Sequence, residues 1–169
     1  MFREMRRKKQ LLSLEACVAI LNRGTSGVLA VSGDNDYPYA VPLSYVYNDS
    51  KIFFHCAKTG HKLDAIAQNE KVSFCVIDHD NVVPEKYTTY FRSVIVFGKA
   101  RILEDEKEKR GAIEILAAKY SPDHEQGRLQ EIDREFNLLC LIELTIDHMT
   151  GKEAIELVKA RSSYFSQVK

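Results

Sequence analysis

The segment His55-Cys56-Ala57-Lys58-Thr59-Gly60-His61-Lys62-Leu63 collects the residue types that an anion site needs. It closes an apolar run, and two lysines bracket a glycine where a strand pattern gives way to a helical one. Free backbone N–H groups at a helix N-terminus, joined by two ammonium groups, form a phosphate cradle. A solvated strand-to-helix turn is the plainer alternative. In Tyr39-Ala40-Val41-Pro42-Leu43-Ser44-Tyr45, Pro42 cannot donate to a ladder and so marks a sheet edge or a bulge. An edge leaves N–H and C=O groups that a planar heterocycle can use, although a bulged edge strand needs no ligand. Tyr90-Phe91-Arg92-Ser93-Val94 puts an Arg-Ser pair at the head of a Val-, Ile- and Phe-rich strand. Arg92 suits a phosphate and equally a neighbouring carboxylate. His55 ends the run Ile52-Phe53-Phe54, where a polar side chain is costly without a partner. It is either a histidine bonded to backbone or a site residue.

Other chemistries have weaker anchors. Asp78-His79-Asp80 has metal-ligand residue types, but neighbours alternate across an extended chain, so a solvated strand end is expected. His55, Cys56 and His61 lack a fourth ligand at informative spacing, and no metal site is expected. No G-x-S-x-G, acid pair or GxGxxG after the first strand supports a hydrolase or a Rossmann site. The four cysteines at 17, 56, 75 and 140 form no CxxC pair. Cys17, Cys75 and Cys140 sit in apolar runs and read as inert core thiols.

The elements that must position these residues follow from periodicity. Ser13 caps a helix whose Leu14, Cys17, Val18 and Leu21 share one face, and Gly24 ends it. Strands are expected over 27–32, 37–47, 51–56, 71–78, 91–103 and 138–146, with Gly98 marking a bulge. Helices are expected after residue 61, over 104–120, near 130–136 and, weakly, over 152–161. Residues 79–90 read as a long connection. Turn clusters at Gly33-Asp34-Asn35-Asp36 and Asn48-Asp49-Ser50 imply antiparallel pairing, hence a six-stranded antiparallel β-barrel with flanking helices.

With 169 residues the chain makes one domain, with a core over about 13–147 and a tail over 148–169. It is 45% hydrophobic, too apolar for disorder, and its 24 Lys and Arg balance 24 Asp and Glu. That neutrality counts against a nucleic-acid partner, and the basic start (five Lys or Arg among the first nine residues) reads as a solvated arm. The following apolar segment is interrupted by Glu15, Asn22 and Arg23, so neither an export signal nor a membrane partner is expected. A cytoplasmic location is.

Taken together, these motifs resemble the FMN-binding split-barrel superfamily that includes pyridoxamine 5′-phosphate oxidase, most of all its 5-nitroimidazole-resistance branch. The resemblance rests on Tyr37-Pro38-Tyr39-Ala40-Val41-Pro42-Leu43-Ser44-Tyr45, on the segment around His55-Cys56-Ala57-Lys58, and on Arg92-Ser93-Val94 with Phe97-Gly98-Lys99-Ala100. A closing Thr150-Gly151-Lys152 extends it, so that it spans about residues 5–158. It implies a homodimer with an FMN in each of two clefts between subunits. Backbone at Val41, Pro42 and Leu43 would meet the ring's polar edge, and Lys58 and Lys62, with backbone near Ala57, the phosphate. Ser93 and Arg92 would approach the flavin, and His55 would lie beside it as the catalytic residue.

Two departures bear on activity. The tail lacks the arginine-and-tryptophan pattern of the oxidase, which argues against pyridoxamine-phosphate oxidation, and Cys56 stands where the resistance branch often has a smaller residue. The expected function is an FMN-dependent oxidoreductase reducing a small electron-poor substrate, nitroaromatic or quinone-like. The alternative is a non-catalytic flavin-binding or flavin-sensing protein.

Overall fold

A computed structural model describes the backbone of residues 1–167 and side chains through 161. Its seven strands form one antiparallel sheet: β1 (Ser26–Ser32), β2 (Pro38–Ser44), β3 (Val46–Asn48), β4 (Lys51–Ala57), β5 (Lys71–Val83), β6 (Thr88–Ile102) and β7 (Leu139–Glu153). The order is β2-β1-β5-β6-β7-β4-β3. Its two outermost strands, β2 and β3, are separated in sequence by Tyr45 alone, so the sheet must curl until its edges meet. That is the expected split barrel, with helices α1 (Leu14–Arg23), α2 (His61–Gln68), α3 (Glu106–Tyr120), α4 (Glu125–Glu135) and α5 (Ile155–Gln167) around it.

The strand expected over 37–47 is divided in two, and the reason lies far away in sequence. Tyr45 is fully buried, and its backbone N–H donates to Tyr120 Oη at 2.9 Å. Tyr120 Oη in turn donates to the Tyr45 carbonyl at 3.0 Å. A side chain of α3 thus takes both backbone groups that a ladder would have used. The Asn48-Asp49-Ser50 turn is as expected, with positive φ at Asp49 and Ser50 (46° and 60°), the twist of a two-residue hairpin loop.

Residues 79–90 form no loop. β5 and β6 pair through them to Val83↔Thr88, around a tight turn at Pro84–Lys86. This arm carries few buried side chains and is held by its ladder, which is why apolar patterning did not reveal it. The β6–β7 register shifts at Gly98, where a Cβ would lie 2.0 Å from the Thr145 carbonyl, so only glycine fits. β7 continues seven residues past the expected end, to Glu153, and α4 and α5 start at 125 and 155.

Two apolar cores hold these elements. Leu29, Phe54, Phe74, Val76, Val96 and Leu144 fill the barrel. Phe53, Leu103, Ile113, Leu116, Ile132 and Leu141 pack the outside of β4 and β7 against α3 and α4. The basic arm is less free than expected: Gln10 is buried and donates to the Glu153 carbonyl at 3.0 Å, and Phe2 stacks on His148 at 4.6 Å. Cys75, expected inside, lies half-exposed on the outer face between Val28 and Ile95.

Candidate functional site

Strand pairing leaves a slot where the barrel splits. Among the described residues, β2 pairs with β1 alone along Pro38–Ser44. β3 covers β4 only as far as Phe53, so from Phe54 to Ala57 one edge of β4 is without a strand. The two bare edges diverge from the Tyr45 corner and offer N–H and C=O groups that need partners. At the far end the slot is closed by the loop 58–60 and the start of α2. His61 ties that end to β2: its ring stacks on Tyr39 at 4.2 Å, and its Nε2 accepts from the Asp34 N–H at 3.4 Å.

The closing loop has the features of an anion cradle. Among the described residues no side chain caps α2, which leaves the His61 and Lys62 N–H groups at the positive end of the helix, while the Leu63 N–H donates to the Gly60 carbonyl at 2.9 Å. Gly60 has φ 140° and ψ 159°, a conformation closed to other L residues, which lets the chain turn into the helix directly. Lys58 is exposed and Lys62 half-exposed on either side. This donor set fits a phosphate, and the facing edges fit a planar heterocycle with donors and acceptors on its rim. Val41, Pro42 and Leu43 lie on the bare edge of β2, Ala57 ends β4, and Lys62 lies in the first turn of α2, while Lys58 lines a small pocket against Leu103, Lys109 and Leu139.

His55 lies at the same end of β4 but on its outer face. It pairs with Leu141 and points to the side where Phe53 and Leu141 meet α3 and α4. Its ring is exposed to a cavity beneath the α3–α4 hairpin, and the protein around it lowers its pKa from the usual 6.5 by desolvation. At neutral pH it is therefore mainly the neutral imidazole. Its neighbour Cys56 faces the barrel, where burial pushes the thiol up to about 11 and makes it a poor nucleophile.

Arg92 and Ser93 are not brought to the slot within one chain. Ser93 lies on the outer sheet face, paired with Ile77 and Lys152, with β7 between its strand and β4. The Arg92 guanidinium meets Glu153 at 3.1 Å and Asp78 at 3.5 Å, the carboxylate-neutralising alternative of the sequence reading. Asp78 was expected in solvent. Instead it is the extra residue of a β5 bulge, its carboxylate nearly buried and held by Arg23 through two bonds of 2.6 and 2.7 Å. Arg23 keeps that carboxyl below its usual 3.8 against the opposing effect of burial, with Arg92 adding to the shift. The partners stand 55 and 14 residues from Asp78 in sequence: Arg92 follows from the β5–β6 register, but Arg23 comes from the end of α1 and no strand register reveals it. Among the described residues, no three His, Cys, Asp or Glu side chains are placed to hold a metal ion.

Residues 13–153 match the family model described as pyridoxamine 5′-phosphate oxidase, which covers most of the chain. The protein belongs to this family, whose split-barrel structures share its fold. A conserved hypothetical protein from Mycobacterium tuberculosis is similar at 17% identity and a TM-score of 0.77, over 89% of this chain and 90% of that one. A proposed 5-nitroimidazole antibiotic resistance protein from Bacteroides thetaiotaomicron is 20% identical with a TM-score of 0.70, over 85% and 86% of the two chains. A FAD-binding protein from Mesorhizobium loti is 25% identical with a TM-score of 0.60, over 86% and 97%. No curated protein sequence matches. Among the described residues no helix is long and apolar enough to cross a membrane.

Proposed function

We propose that this protein is an FMN-dependent oxidoreductase of the cytoplasm that reduces a small electron-poor substrate. The observation that carries the reading is the slot itself: two bare strand edges ending at an uncapped helix flanked by Lys58 and Lys62. Bound there, the flavin supplies the electron-transfer chemistry, and the protein supplies binding, orientation and electrostatics. Backbone groups at Val41, Pro42 and Leu43 hold the ring's polar edge. Lys58, Lys62 and the N–H groups near Ala57 hold the phosphate. His55 delivers a proton to the substrate or anchors it. Similarity to the Bacteroides resistance protein supports a nitro-compound substrate, and similarity to the FAD-binding protein supports a flavin.

The same reading includes a homodimer. Its support is a row of residues across the outer sheet face, Pro42, Val28, Cys75, Ile95 and Thr150 in register, flanked by Ile77 and Phe97. Four of the apolar members (Val28, Ile77, Ile95 and Phe97) are 38% to 66% exposed, and a second copy of the chain would cover them. Ser93 lies on that face, so it would approach a flavin only across the interface. Arg92 then serves as a positioning residue through Glu153 and Asp78.

Lys62→Ala tests the phosphate assignment. A charge-assisted hydrogen bond is worth about 1.5–3 kcal/mol, so FMN affinity is expected to fall roughly ten- to hundredfold while riboflavin affinity hardly changes. Titration by flavin fluorescence reads both. Equal losses for the two ligands would remove the phosphate from this loop.

A further inference from the structure

The far end of the slot is spanned by side chains from both of its walls. His61, the first residue of α2, reaches across from the side of β4, and Tyr39, the second residue of β2, meets it from the other. Their rings stack with centroids 4.2 Å apart and planes at 25°. The contact is pinned at a second point. His61 Nε2 accepts the Asp34 N–H at 3.4 Å, which ties the same ring to the turn between β1 and β2. One side chain thus joins α2 to β2 and to the turn that precedes it.

This latch adjoins the groups that suit a phosphate. Lys62 follows His61 directly, and the N–H groups of both residues stand at the positive end of α2. Both N–H groups belong to the backbone, so the His61 ring is not one of the phosphate donors. The turn behind the latch has the wrong charge for a second phosphate. Gly33-Asp34-Asn35-Asp36-Tyr37 carries two carboxylates and no Lys or Arg, and the Asp34 carboxylate stands 3.8 Å from His61 Nε2. A barrier and a like charge are two means by which a site rejects a larger relative of its ligand.

We infer that the His61–Tyr39 contact is the specificity determinant of the slot. It ends the ligand at one phosphate, so the chain takes the flavin mononucleotide and rejects the dinucleotide, whose second phosphate and adenosine would have to displace the two rings. The inference rests on the flavin reading above and adds to it the choice between flavins.

FMN and FAD are titrated separately into the flavin-free protein by calorimetry. The native chain is expected to bind FMN roughly tenfold or more tightly than FAD. His61→Ala removes the latch and keeps the backbone donors and Lys62, so it should bring the two affinities together, chiefly by a gain for FAD. Tyr39→Ala opens the same contact from the other wall and should act alike, which covers a failure of the α2 variant to fold. Asp34→Asn keeps the N–H that meets His61 but removes the charge, and should raise FAD affinity while leaving FMN affinity unchanged. Native protein that binds FAD as tightly as FMN would overturn the inference. So would variants in which both affinities fall together at an unchanged ratio, since the contact would then be structural only. A protein that binds neither flavin would overturn the flavin reading itself, and this inference with it.

Discussion

His55→Gln is expected to leave FMN bound and the fold intact while slowing substrate reduction by about 10²–10⁴-fold, the range that general acid–base catalysis contributes. Glutamine keeps a polar side chain of similar length but cannot deliver a proton. The pH profile separates this role from a structural one. Desolvation lowers the His55 pKa below 6.5, so the protonated, donating form accumulates only in acid. The rate of the native protein should therefore rise as pH falls through a limb below 6.5, and that limb should vanish in His55→Gln. A variant that keeps its rate per bound flavin but loses stability would make His55 a packing residue. The same shift acts on stability with opposite benefit: a depressed folded-state pKa favours folding above 6.5, and that contribution is lost as pH falls through it.

Phe54→Ala is expected to lower unfolding free energy by about 3–5 kcal/mol, a large part of the roughly 5–15 kcal/mol that holds a domain together. Phe54 is fully buried and meets Phe74 edge-on, with ring centroids 5.1 Å apart and planes at 66°. Phe74 in turn meets Tyr45 at 4.9 Å, the residue at the corner where the barrel splits. Truncation would leave a cavity at the centre of that aromatic row, beside the strand segment that carries His55, Cys56 and Ala57. Urea unfolding reads the effect as a lower midpoint at unchanged slope. A loss below about 1 kcal/mol would mean the barrel core collapses around the gap, and that Phe54 does not fix the end of β4.

Much of this arrangement was legible in the residues, and the rest was hidden for definable reasons. Tight turns with Asn, Asp and Gly announced antiparallel hairpins, because their backbone demands are local. The proline at 42 marked a true sheet edge, and the glycine at 98 a true register shift. The break at Tyr45 was not legible, since it depends on a tyrosine hydroxyl 75 residues away. Nor was the arm of β5 and β6 beyond residue 78, whose ladder bonds require no apolar alternation. The loop from Ala57 to Lys62 could be read as a cradle because a strand end, a glycine and a helix start are contiguous in sequence. Arg92 could not be assigned, since its partners come from β5 and the end of β7. The cavity over His55 was equally hidden: its roof is the hairpin of α3 and α4, from Ile113 to Glu135, 58 to 80 residues further along the chain.

The central claim is that the slot between β2 and β4 holds FMN by its phosphate. It is tested most directly by purifying the protein, supplying excess FMN, removing the unbound flavin and recording the absorbance spectrum before and after denaturation. Retained flavin bands, with FMN released on denaturation at one molecule per chain, are the expected result. A protein that keeps no flavin under these conditions, or keeps riboflavin as well as it keeps FMN, would contradict it.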